Sequence, residues 1–504
     1  MNKFSQLLGY DAEKKQTNVK TEIVAGIVTF LAMAYILTVN PNSILYAGTG
    51  DPRWPSLFMA TAFGAIIGTL LMAFFAKMPL AQASGMGLNS LLGSIIGGGV
   101  GAFTYVFKFT IGQALMMVLI SGIIFLLLSV VSIKGKTVRE MIFDGMPVAV
   151  RSAISVGIGL FIAYIGFQNA GVIIHNQYTQ VAFVDFTNWG EQVINVGKGT
   201  AFAAQSAVVA LVGLFLISIL DKLNVKGSVI LGIIGATIVG IPLGVTNVEV
   251  ILGTDGISWK FWENFANFFT VGETSVFGSF TSVFTEGFPA GSLFTVIMLI
   301  ITMCMIDMFD TMGTIVGCCG GNRILSDEND KPHNYGKIMI ADSVATCAGA
   351  MLGTSTVTTF VESGAGVSAG GRTGITSFTT ACMFLLAIFA MPVFAMIPSA
   401  ATASALIYVG VLMMKNNVKN VDFSNAINAT SAFLTIVVMV LSYSITKGIG
   451  VGLLSFTLMS VIAYVVELIV ASIKKTEKPK WNVSVVAIVV SVLFAIYFFV
   501  PTVI

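Results

Sequence analysis

Apolar runs of near-bilayer length alternate with short polar breaks from Glu22 to the end of the sequence, and this repetition predicts an all-α polytopic membrane protein. Seven runs fall between Glu22 and Thr246, and seven more between Ser292 and Ile473. A last run, Val483 to Val500, follows a basic linker and predicts an extra C-terminal helix. The third run of each set is short and rich in glycine: Ser84 to Gly97 and Thr358 to Gly366. A helix of about ten residues at 1.5 Å each covers only about half of the hydrocarbon core. Unwound backbone must complete each crossing and must be buried in protein or line a cavity.

The placement of basic residues supports this count. With Lys3, Lys14, Lys15 and Lys20 in the cytoplasm, the loops on that side carry Lys77, then Lys134, Lys136 and Arg139, then Lys222 and Lys226. Arg323, Lys331 and Lys337 follow, then Arg372, then Lys415 and Lys419. The linker with Lys474, Lys475, Lys478 and Lys480 is expected inside as well. The loops 173–200 and 247–291, expected outside, are basic-poor. Alternation holds only if both short runs cross the membrane. The stretch before Lys20 has no signal-peptide core and is expected to stay in the cytoplasm.

Because seven is odd, the second set enters from the opposite side, which predicts two inverted repeats within fourteen transmembrane segments. Met146-Pro147-Val148-Ala149 opens the fifth run and Ile397-Pro398-Ser399-Ala400 the twelfth. The short runs match as Ser84-Gly85-Met86-Gly87-Leu88-Asn89-Ser90 and Glu362-Ser363-Gly364-Ala365-Gly366-Val367-Ser368. Paired, interrupted segments of inverted repeats point to a transporter's binding site. Glycines there permit unusual backbone and close approach, and helices that start there aim free N–H groups at the gap.

Composition narrows the class. The chain of 504 residues is 56% hydrophobic and 10% charged, with net charge +2. That leaves no room for a sizeable soluble domain and no argument for a nucleic-acid partner. The five cysteines (Cys304, Cys318, Cys319, Cys347 and Cys382) have neither zinc nor disulfide-framework spacing. His175 and His333 are the only histidines, both in polar loops, so neither a His-based metal site nor a catalytic triad is expected. No cofactor is implied.

Four acids lie inside apolar runs: Asp307, Asp310, Asp342 and Glu362. At roughly 2.5 kcal/mol each on the insertion scale they sum to about 10 kcal/mol, which marks a site. Asp307 and Asp310 stand about one helical turn apart and share a face, with Thr311 and Thr314 extending the polar stripe. Asp307 is open to a structural role, either holding broken-helix backbone or binding Arg372. Asp342, near Ser343 and Thr346, is open to capping or bonding a neighbouring helix. A carboxylate can accept two hydrogen bonds at once, which suits a flat heterocycle with adjacent N–H donors, such as a purine. If desolvated, it can also carry a proton across. Phe360, and Phe30 or Tyr35 in the first run, are candidate stacking faces. Lys108 is expected to snorkel.

Several stretches together resemble the nucleobase-ascorbate transporter superfamily and, within it, the AzgA-like purine permeases. These are Gly85-Met86-Gly87-Leu88-Asn89, Asp307 to Thr314, Gly353-Thr354-Ser355-Thr356 through Val367, Gly370-Gly371-Arg372-Thr373-Gly374, and the opening Val19 to Ile36 with Val39-Asn40-Pro41. The resemblance implies a proton-coupled symporter that imports hypoxanthine, guanine or adenine across the cytoplasmic membrane. A core domain (22–132 and 292–396) would move like an elevator against a gate domain (150–246 and 400–473). Residues 1–21 and 474–504 are left as a cytoplasmic segment and a linker with its helix. The gate often supplies a dimer contact, and lipid surrounds the whole.

The resemblance places substrate between the two short segments. The roles fall on Asp310 in the eighth span and Glu362 in the tenth, with Phe360 as its aromatic and Asn89, Gly87, Thr311 and Ser363 around them. Asp307 is the alternative to Asp310, and Asp307, Asp342 and Glu362 are the candidates for proton coupling or structural support. The chain has Ala83-Ser84 before Gly85 where the branch would have Ala-Pro. Another nucleobase (xanthine or uracil), a small anion on the same fold and a passive channel stay open as alternatives. An intramembrane aspartyl protease would need two Asp on separate facing helices, with a Gly-x-Gly-Asp element; Asp307 and Asp310 share one run and neither stands in such an element.

Overall fold

A computed structural model describes the chain outside residues 1–6, 11–15, 46–50, 97–108, 134–135, 177, 192, 197–198, 226, 250–258, 271–274, 320–323, 327–331, 422, 424, 443, 475–476, 478–479, 482 and 500–504. Lys108 and several of the basic loop residues, Arg323 and Lys331 among them, lie outside the described residues. The first apolar run forms α1 (Val19–Met33) and α2 (Ile36–Leu45). The helix breaks at Ala34 and Tyr35, and Pro41 inside α2 lacks the N–H that would bond the Leu37 carbonyl. Next come α3 (Trp54–Leu71), β1 (Gln82–Ser84), α4 (Met86–Ile96) and α5 (Ile111–Val130).

The small ribbon β2 (Ser132–Ile133) with β3 (Lys136–Thr137) leads to α6 (Val138–Gly145) and α7 (Val148–Asn169). Two hairpins, β4 (Ile173–Asn176) with β5 (Gln180–Phe183) and β6 (Val193–Val196) with β7 (Gly199–Phe202), occupy the expected outer loop. They are followed by α8 (Ala203–Lys222), α9 (Ser228–Gly240), α10 (Phe261–Phe269) and α11 (Val283–Glu286). The remaining elements are α12 (Leu293–Cys319), α13 (Tyr335–Leu352), β8 (Val357–Thr359), α14 (Ser363–Ser368) and α15 (Gly374–Ile388). The chain closes with α16 (Met391–Ala395), α17 (Ser399–Asn417), α18 (Ala426–Leu441), α19 (Ile445–Lys474) and α20 (Val485–Phe499).

The protein is a mostly helical, multi-pass membrane protein. Among the described residues seven helices are long and apolar enough to cross a bilayer, and five shorter apolar helices accompany them. The all-α expectation needs one correction. The two unwound segments pair with each other as an antiparallel ribbon, β1 against β8, because backbone N–H and C=O groups shut away from water must find partners.

The chain divides into two compact units, Met1–Val130 with Ile165–Tyr408, and Val131–Tyr164 with Val409–Val503. In the first, α1 runs along α14 and α15, while α13 lies between α3 and α5. Gly366 on α14 meets α1 so closely that any side chain there would collide with Thr29 and the Ala25 carbonyl. Gly353, at φ +101°, ends α13 in a left-handed turn that returns the chain into β8.

In the second unit α18 packs on α19, with Gly448 and Gly452 admitting Met439 and Thr435. The last helix, α20, lies on α19 through a Thr457–Ser491 hydroxyl contact of 2.7 Å, with Gly450 facing Phe494 and Phe498. At 15 residues α20 is shorter than the roughly 20 that a crossing helix needs.

Candidate functional site

The site is built on the β1–β8 ribbon, whose register pairs Gln82 with Thr359, Ala83 with Thr358 and Ser84 with Val357. Backbone bonds extend it at both ends: Gly85 N donates to Thr356 O at 2.9 Å, and Phe360 N to Ala81 O at 3.0 Å. Because the strands are antiparallel, α4 and α14 leave from opposite ends of the ribbon. Every residue from Ala81 to Asn89 and from Gly353 to Phe360 is buried. The ladder therefore satisfies backbone that would otherwise cost several kcal/mol per unpaired group.

The four intramembrane acids divide into two kinds. Asp307 on α12 and Asp342 on α13 are fully buried and bound reciprocally by threonines of the opposite helix. Thr346 Oγ1 donates to Asp307 at 3.0 Å, and Thr311 Oγ1 donates to Asp342 at 2.7 Å. The same network reaches the ribbon, since Gln82 Nε2 donates to Asp342 at 2.9 Å. Thr346 also contacts the Val357 carbonyl at 3.1 Å, and the Thr311 and Thr358 hydroxyls lie 2.6 Å apart. These two acids stitch α12 and α13 to the unwound segments.

Asp310 is different. It is partly exposed, and among the described residues no side chain donates to its carboxylate. The acids that act on it electrostatically are Asp342 and Glu362, which brings the eighth and tenth runs together at one place. Glu362 precedes α14 and is 7% exposed, and its Oε1 accepts a hydrogen bond from Tyr35 Oη. Phe360, two residues earlier, is buried at the end of the ribbon. Cys318 near the end of α12 points its thiol at the Val361 carbonyl, 3.4 Å away.

Other expected site residues are committed to the scaffold. Asn89 on α4 donates to Ser84 O at 3.3 Å and accepts from Ser355 Oγ. Ser363 Oγ accepts from Ala81 N at 3.0 Å, and Gly87 is buried in the first turn of α4. Thr311 is turned to Asp342, as above. Phe30 offers no stacking face, because its ring packs edge-on against Phe384 at 5.2 Å. Tyr35 reaches the site as a hydrogen-bond donor instead. Arg372 does not neutralise Asp307; its guanidinium spans the carbonyls of Val367 and Gly371 at 2.5 and 2.7 Å.

The sequence pattern of the permease family Xan_ur_permease matches residues 20–451. The chain belongs to that family. The permease is 32% identical to the adenine permease AdeP of Escherichia coli K12, over 88% of each chain. It is 31% identical to the guanine/hypoxanthine permease PbuO of Bacillus subtilis 168, over 97% of this chain and all of that one. Its fold is similar to the transmembrane domain of the cyanobacterial bicarbonate transporter BicA, with TM-score 0.57 at 15% identity, covering 85% of this chain and 97% of that one. The permease is thus a transporter of the nucleobase-ascorbate superfamily and not an enzyme.

Three buried polar residues of the ribbon and its supporting helices carry no role in the sequence analysis. Gln82 sits just ahead of the expected short run, and Thr346 was noted only as a neighbour of Asp342. Glu22 opens the first apolar run, where it is fully buried and accepts from Arg372 N, Thr373 N and Thr376 Oγ1 at 2.9, 3.2 and 2.6 Å. An acid in the first turn of an apolar run was the available signal for Glu22. Nothing local marks Gln82 or Thr346.

Proposed function

We propose that this permease imports purine nucleobases, namely hypoxanthine, guanine or adenine, across the cytoplasmic membrane together with protons. One observation carries the reading: of four intramembrane acids, two are engaged by threonines, while Asp310 and Glu362 remain with acceptor capacity beside each other. A purine edge offers adjacent N–H donors to match them, and Phe360 supplies an aromatic face. The permease relatives support nucleobase transport as the activity.

Under this reading Asn89, Gly87, Thr311 and Ser363 shape the wall behind the base rather than grip it. Protons are the coupling ion, with Glu362 carrying one. Residues 22–132 and 292–396 act as a core that moves like an elevator against a gate of residues 150–246 and 400–473. Two inverted repeats of seven spans, a cytoplasmic N-terminus, and a homodimer in lipid complete the proposal. The matched short segments and the distribution of Lys and Arg support this arrangement.

A competition panel tests the substrate. Labelled hypoxanthine uptake into proteoliposomes should be blocked by unlabelled purines and untouched by uracil or bicarbonate. Inhibition by uracil alone, or by bicarbonate alone, would remove purines from the proposal.

A further inference from the structure

Helix α1 and the break that follows it run along α14. At one end Glu22 accepts from the backbone of Arg372 and Thr373, just past the close of α14. In the middle Gly366 seats against Thr29 and Ala25. At the other end the helix breaks, and Tyr35, fully buried, donates its hydroxyl to Glu362. The geometry points to Tyr35 as a positioning residue of transport, holding the Glu362 carboxylate by Oε1 so that its other oxygen is presented to substrate. The inference rests on the transport reading above.

A tyrosine hydroxyl suits the task because it both donates and accepts. It can donate to the carboxylate and accept from the carboxylic acid, so Glu362 keeps its orientation through a proton cycle. Among the described residues the titratable groups facing Glu362 are few. Tyr35 comes from the first run, and Asp310 and Cys318 come from α12. Asp342 on α13 acts on Asp310 and is itself held by Thr311 and Gln82. Arg372, beyond the far end of α14, spends its guanidinium on carbonyls, and Glu22 is engaged by the backbone there. Of these groups, only Tyr35 is seen to hydrogen-bond the Glu362 side chain among the described residues.

Tyr35→Phe keeps the ring and removes the hydroxyl. In proteoliposomes with an inward proton gradient, KM for labelled hypoxanthine should rise about tenfold, in keeping with the loss of one charge-assisted hydrogen bond, with the maximal rate within about twofold. The alkaline limb of the uptake profile should move to higher pH, since the charged carboxylate has lost a donor. Phe30→Leu, on the same run but packed against Phe384, should change neither. A Tyr35→Phe carrier with wild-type KM and pH profile overturns the inference. Infrared pH-difference spectra give a readout independent of substrate. The carboxyl band lost in Glu362→Gln should shift in Tyr35→Phe, and an unshifted band overturns the contact. A wild type that accumulates no purine counts against the transport reading and leaves the infrared band to decide on Tyr35.

Discussion

Thr311 and Thr346 decide what the neighbouring acids can do. By accepting from hydroxyls of the opposite helix, Asp342 and Asp307 become part of the scaffold, whereas Asp310, one turn from Asp307, keeps its acceptor capacity. Asp310→Ala should therefore abolish purine binding in calorimetric titrations with little change in melting temperature. Asp307→Ala should retain binding within about tenfold and instead lower the melting temperature, because the bond from Thr346 that ties α13 to α12 is lost, at a cost of about 1.5–3 kcal/mol for a hydrogen bond to a charged group. The reverse order would show that Asp307 is the substrate acid. Glu362→Gln keeps the shape of the side chain and removes the charge, so it should leave the protein folded while abolishing or decoupling uptake. Uptake with wild-type pH dependence in that variant would take Glu362 out of the site. The sequence picked out all four acids from their insertion cost, but not their division. That division depends on threonines brought in from another helix.

The short segments were legible for a physical reason: they are too short to cross a bilayer as helices, and glycine marks where they unwind. Their pairing was not legible. Gln82 and Thr359 stand 277 positions apart, and three-residue strands carry no periodicity that could reveal a partner. The break in the first run, at Ala34 and Tyr35, was equally hidden, since Pro41 stands beyond it inside α2. The close seat of α14 on α1 has a consequence that can be measured. Gly366→Val should displace α14 from Thr29 and Ala25, at an overpacking cost of about 1–3 kcal/mol, and should lower both melting temperature and uptake. A Gly366→Val protein with wild-type uptake and stability would show that α14 is not held where it is described.

For the molecule as a whole, a similar fold is found in a bicarbonate transporter, so the fold leaves open what is carried. In the proposed reading the residues at the ribbon choose among cargoes. Two carboxylates face the site, while Arg372 is turned to carbonyls, which disfavours an anion and suits a neutral donor-rich base that travels with a proton. The measurement that tests this most directly is uptake of labelled hypoxanthine, guanine and adenine by purified protein in proteoliposomes, with and without an inward proton gradient. The account predicts accumulation of at least one of these bases above equilibrium, only with the gradient, and lost on collapsing it. Equilibration of every base at the same rate with or without the gradient would contradict it.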